Sequence, residues 1–101
     1  MVPVTPAIEI VTTPGQTLIE AHVMSAAPAP ILWRLKVSTH AGSNRSEVAQ
    51  SGRTDGSNRA PVAVVRVNAP GEADLEVRIE GQIAGEVRRS FAAPSAEAGP
   101  Y

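Results

Sequence analysis

Ile31-Leu32-Trp33-Arg34-Leu35-Lys36-Val37 alternates with a period of two. Ile31, Trp33, Leu35 and Val37 fall on one face, and Leu32, Arg34 and Lys36 on the other. That pattern belongs to a strand with one face buried. The stretch also holds the only tryptophan of the chain. A buried indole removes a large apolar area from water and anchors the core around it. By transfer arithmetic, burying it stabilises the fold by on the order of 3 kcal/mol. The reading is a central strand of a small all-β domain, with the other strands packed around Trp33.

The chain on either side fits this reading. Upstream, Ala7–Thr13 places Ile8 and Ile10 inward, and Pro14-Gly15 then forces a turn. Thr17–Ser25 follows, with Ile19, Ala21 and Val23 on one face and Glu20 and His22 on the other. Ala26-Ala27-Pro28-Ala29-Pro30 cannot lie inside a central strand, because each proline lacks a ladder N–H. It marks a crossover between sheets.

Downstream, His40–Ala60 is the most polar region. It repeats one tetrapeptide, Gly42-Ser43-Asn44-Arg45 and Gly56-Ser57-Asn58-Arg59. Two similar turns explain the repeat, since turns use these residues. A duplicated anion-binding loop is the sharper alternative. Ser46–Ser51 between them reads as a weak, polar strand at a sheet edge. Pro61–Asn68 is a strong strand, with Ala63, Val65 and Val67 inward. After the Pro70-Gly71 turn, Asp74–Glu80 turns Leu75, Val77 and Ile79 inward. Gly81-Gln82 is the expected hairpin turn. Ile83–Phe91 returns with Ile83, Val87 and Phe91 inward, and Gly85 suggests a bulge or a close backbone approach.

Seven short strands and no helical period predict an immunoglobulin-like β-sandwich without a disulfide, since the chain has no cysteine. The expected organisation is a flexible leader over 1–6, the sandwich over 7–91 and a flexible tail over 92–101. The expected core comprises Trp33, Leu35, Val37, Val65, Leu75, Val77, Ile79, Val87 and Phe91. The polar edge and Pro-rich ends favour a monomer.

Composition narrows the chemistry. A net charge of −1 gives no electrostatic basis for nucleic-acid binding. Three aromatic residues offer few platforms for stacking bases or sugars. No apolar run reaches transmembrane length, and Met1-Val-Pro-Val-Thr-Pro lacks the regions of a signal peptide. If the protein is exported, the sequence reads as a mature chain. His22 and His40 lie on different predicted elements, His22 outward on a strand and His40 in a loop, with no metal-ligand spacing. No GxSxG elbow or glycine-rich phosphate cradle is present. The expectation is no catalytic residue, no cofactor and no metal.

What remains is surface. Arg34 and Lys36 project from the Trp33 strand, Arg78 from the Asp74–Glu80 strand and Arg88 from the last strand. In an immunoglobulin-like sandwich these strands share one sheet. Their outward residues interleave with Glu76, Glu80 and Glu86. Such a face is either a solvated set of cross-strand ion pairs or a docking face for a polypeptide. Arg34, Lys36, Arg78 and Arg88 are the candidate contact residues.

From about Thr17 to Phe91 the chain resembles the CsgC/CsgH family of curli-system proteins, and most closely the CsgH branch. The resemblance is carried by Thr17-Leu18-Ile19-Glu20-Ala21-His22-Val23 and by Ile31-Leu32-Trp33-Arg34-Leu35-Lys36-Val37. A Gly/Ser/Asn-rich hairpin region, the Ala60–Val67 strand, the Pro-Gly turn, Leu75-Glu76-Val77-Arg78-Ile79 and Phe91 before Pro94 continue it. The resemblance implies an immunoglobulin-like sandwich in the periplasm. It implies a chaperone-like inhibitor that holds the major curlin subunit out of the amyloid state, with no enzyme activity. Members of the CsgC branch carry Cys-x-Cys where this chain has Ile31 and Trp33, which excludes a thiol redox role. A generic adhesion or assembly module binding a folded partner, and an enzyme, remain the alternatives.

Overall fold

The computed structural model describes residues 3–93 and shows seven antiparallel strands. They are β1 (Val4–Thr13), β2 (Gln16–Ser25), β3 (Ile31–Ala41), β4 (Asn44–Thr54), β5 (Ala63–Val67), β6 (Gly71–Ile79) and β7 (Gln82–Phe91). One sheet has the order β1-β2-β5 and the other β4-β3-β6-β7. β1 lies over β6 and β7, while β5 lies over β3. The result is the expected two-sheet sandwich, with β3 central in the larger sheet.

Alternation on β3 decides the packing. Ile31, Trp33, Leu35 and Val37 are buried, and Leu32, Arg34 and Lys36 are exposed. On the facing sheet stand Ile19, Ala21 and Val23 of β2 and Ala63 and Val65 of β5, while Ala73, Leu75 and Val77 of β6 flank them in the same sheet. Ile79, Val87 and Phe91 pack against this cluster but are only partly buried. The crossover 26–30 joins the sheets as expected, and Ala29 donates a backbone hydrogen bond to Asp55.

Several expectations need correction. β1 begins at Val4, inside the stretch expected to be a loose leader. An edge strand tolerates Pro6, because one side of its ladder has no partner. Residues 94–101 of the expected tail lie outside the described residues. β3 runs on to Ala41, so His40 sits on a strand rather than in a loop. The β6–β7 hairpin turn is Glu80-Gly81, one residue before the expected pair. Both residues have positive φ, 54° and 80°, which is the backbone of a two-residue hairpin turn of the primed type.

Ile83 is the clearest error. It is 57% exposed, not buried. Val77 pairs with Gly85 but Arg78 pairs with Ile83, so Ala84 is an extra residue in the ladder. This bulge shifts the alternation by one, turning Ala84 toward the core and Ile83 outward. Gly85 adjoins this bulge. A Cβ there would approach Pro6 Cδ to 3.0 Å, so the glycine also lets β1 close over β7. Arg89 Nη1 then donates to the Ile8 carbonyl at 3.2 Å across the sheets.

The repeated tetrapeptide is used in two unlike ways. Gly42-Ser43 is the tip of the β3–β4 hairpin, and Asn44 and Arg45 begin β4. Gly56 instead is buried in the β4–β5 loop, where a Cβ would strike Ser25. Its carbonyl accepts from Ser25 N at 3.1 Å. Asp55 accepts from Ser57 N and Oγ at 2.9 and 2.6 Å, which holds its carboxyl below the ordinary aspartate range.

Two substitutions probe this core. Trp33→Ala lowers the unfolding free energy by about 3–5 kcal/mol, measured by urea denaturation. Thr17 is fully buried and its hydroxyl has no hydrogen-bond partner. Thr17→Val therefore raises stability by about 1 kcal/mol in the same measurement.

Candidate functional site

The outer face of the four-stranded sheet carries all four predicted contact residues. Arg34 and Lys36 lie on β3, Arg78 on β6 and Arg88 on β7. The register arranges the face in cross-strand rows. One row reads Arg53, Leu32, Arg78, Ile83. The next reads Ser51, Arg34, Glu76, Glu86, and then Ala49, Lys36, Asp74, Arg88. The fourth is Glu47, Ser38, Glu72, Ser90.

Most of these charges are already partnered. Arg78 Nε donates to Glu76 Oε1 at 2.9 Å, and that bond raises the guanidinium pKa. Arg88 Nη2 donates to Asp74 Oδ2 at 3.0 Å, with the same effect. Lys36 Nζ stands 3.5 Å from Glu47 Oε2, where both side chains are at least half exposed. These pairs sit in water and contribute little to stability. Arg34 faces Glu76 across the ladder, but Glu76 is turned toward Arg78. Among the described residues, Arg34 and Arg53 make no ion pair.

The face is therefore not evenly basic. Its positive charge gathers at one end, where Arg34, Arg53 and Arg78 surround Leu32. Leu32 is 46% exposed, and Ile83 completes the row beyond Arg78. A cleft of about 600 Å³ opens there, lined by Leu32, Trp33, Arg34, Ser51, Gly52, Arg53, Glu76 and Arg78. A second cleft of about 730 Å³ runs on past Leu32 and Arg53 to Pro28, Pro30 and the Glu80-Gly81 turn. An apolar side chain would fit on Leu32, and an acidic neighbour would meet Arg34 or Arg53. That combination suits an extended polypeptide bound weakly, quickly and with sensitivity to salt.

Alternation sends Arg34, Lys36, Arg78 and Arg88 outward, and the structure places them so. Sequence reasoning misses Arg53, Leu32 and Ile83. The register Leu32↔Arg53 was the missing information for the first two, and the bulge for the third. On the opposite, three-stranded sheet, Glu9, Glu20 and His22 bring one ligand atom each to within 4.8 Å of one another. His22 Nε2 stands 3.5 Å from Glu20 Oε1. Pairing of β1 with β2 assembles this cluster, which spacing along the chain does not reveal.

Comparison with known proteins places this geometry among solved folds. No protein-family model matches the sequence, and no curated protein matches it. The chain is similar to R. palustris CsgH, whose solution structure aligns with a TM-score of 0.67. The alignment covers 86% of this chain and 91% of that one, at 15% sequence identity. The likeness to the CsgH branch read from the β-strand pattern is thus met at the level of the fold.

Proposed function

We propose that this chain is a periplasmic, chaperone-like protein of a curli system that restrains fibre formation by the major curlin subunit. The reading has no catalytic step. The observation that carries it is the outer face of β4-β3-β6-β7, on which Arg34, Arg53 and Arg78 ring an exposed Leu32. The CsgH-like fold supports the curli assignment.

Amyloid grows when a strand adds to an exposed edge. A folded β-protein that repeatedly touches an early nucleus can interrupt that addition without forming a lasting complex. Such contacts need fast association more than high affinity, and surface charge supplies fast association. Arg34, Lys36, Arg78 and Arg88 are the residues proposed to make them. Arg78 and Arg88 already lean on Glu76 and Asp74, so an acidic client segment would compete with these pairs. Arg34 has no such competitor.

The test is curlin-subunit fibrillation followed with an amyloid-reporting dye, with this protein far below equimolar. The expected result is a long delay that shortens as salt rises. Combined reversal of Arg34, Lys36, Arg78 and Arg88 to Glu removes the delay and leaves the fold intact. Absence of delay at every ratio would sink the proposal. Inhibition that requires one protein per subunit would favour an assembly module binding a folded partner.

A further inference from the structure

Strand β4 is 11 residues long and pairs with β3 without a register break. It is the outer strand of its sheet, and its residues from Asn44 to Ser51 are exposed on both faces. The opposing sheet has one strand fewer, and β5, its strand on this side, lies over β3.

The other three edges carry the devices that block strand addition. β1 contains Pro6, β7 contains the bulge at Ala84, and β5 is only five residues long. β4 has no proline, no lysine and no bulge. Its inward side, Ser46, Val48, Gln50, Gly52 and Thr54, is uncharged. Only its outer face is charged, through Arg45, Glu47 and Arg53.

We propose that β4 pairs antiparallel with β4 of a second copy of this chain, making one continuous eight-stranded sheet about a twofold axis at Gln50. The sequence of the strand selects both the occupant and the register. Inward residues must meet inward residues, because a slip of one exchanges the two faces. Among the permitted registers, pairing Gln50 with its own copy sets Glu47 opposite Arg53 twice. It also brings Arg45 opposite Asp55 just beyond the strand. A slip one way opposes Arg45 with Arg53, and a slip the other way opposes Glu47 with Asp55. Like charges directly opposite are destabilising, so both slips are disfavoured. In the favoured register Val48 meets Gly52, and Ser46 meets Thr54. The dimer turns Arg53 of the candidate face toward Glu47 of the second copy and leaves Leu32, Arg34 and Arg78 on the surface.

Sedimentation velocity on the full chain from micromolar to millimolar concentration tests the proposal. The expected result is a rise in mass from one chain to two, weakening with added salt. Arg53→Glu opposes acids at both ends of the interface and raises the dimer dissociation constant by about tenfold or more. Adding Glu47→Arg to that variant restores dimerisation, which a merely weakened fold would not do. A single-chain mass at every concentration overturns the proposal. So does a dimer indifferent to Arg53→Glu, or a double variant that stays monomeric. Amide protection of β4 that appears only with an amyloid-forming polypeptide would assign the edge to a client strand instead.

Discussion

The indole of Trp33 packs directly against Gly52 of the neighbouring strand, and the rest of the core depends on that contact. A Cβ at Gly52 would come within 2.9 Å of Trp33 Cζ2. The two residues are cross-strand partners at the point where the three-stranded sheet runs out of strands to cover β4. An ordinary aliphatic pair there would leave the side of the core open to water. The large ring, spread over a glycine, closes it and leaves Trp33 only 8% exposed. Without a disulfide, the two sheets are held by the apolar core that Trp33 joins and by the Arg89 to Ile8 tie at the other side.

The same strand supplies the outward chemistry. Because side chains alternate, β3 sends Trp33 and Leu35 into the core and Leu32, Arg34 and Lys36 to solvent. The outer residues are positioned by a backbone that the core fixes, yet their own contacts contribute little to stability. Charge on this face can therefore change without unfolding the domain. The face owes its polarity to register. Acids and bases fall opposite one another in two of its four rows, at Arg34–Glu76 and at Lys36–Asp74–Arg88, while among the described residues Arg34 and Arg53 make no ion pair beside Leu32.

Much of this was legible in the sequence, for physical reasons. Period-two alternation on 31–37 and 74–80 names the buried residues directly, and Pro14-Gly15 marks a real turn, whereas the chain bends at Asn68-Ala69 and Gly71 of the expected Pro70-Gly71 turn already begins β6. The failures come from information that is not local. Ile83 follows the inward pattern perfectly until Ala84 is added to the ladder, and no property of Ile83 announces this. The Gly-Ser-Asn-Arg repeat is identical in sequence, but one copy is a free hairpin tip and the other is wedged against Ser25. Arg53 lies beyond the strand read at Ser46–Ser51, and only pairing sets it beside Leu32. Alternation assigns a face, whereas only strand pairing assembles a site.

Two-dimensional amide NMR of the isotope-labelled protein, titrated with soluble curlin subunit, would show whether the charged outer face meets the client. Shifts or broadening are expected along the outer-face residues of β3, β6 and β7, centred on Leu32, Arg34 and Arg78 and weakened by salt. Perturbation confined to the outer face of the three-stranded sheet, or none at any ratio that delays fibrillation, would contradict the proposed contact.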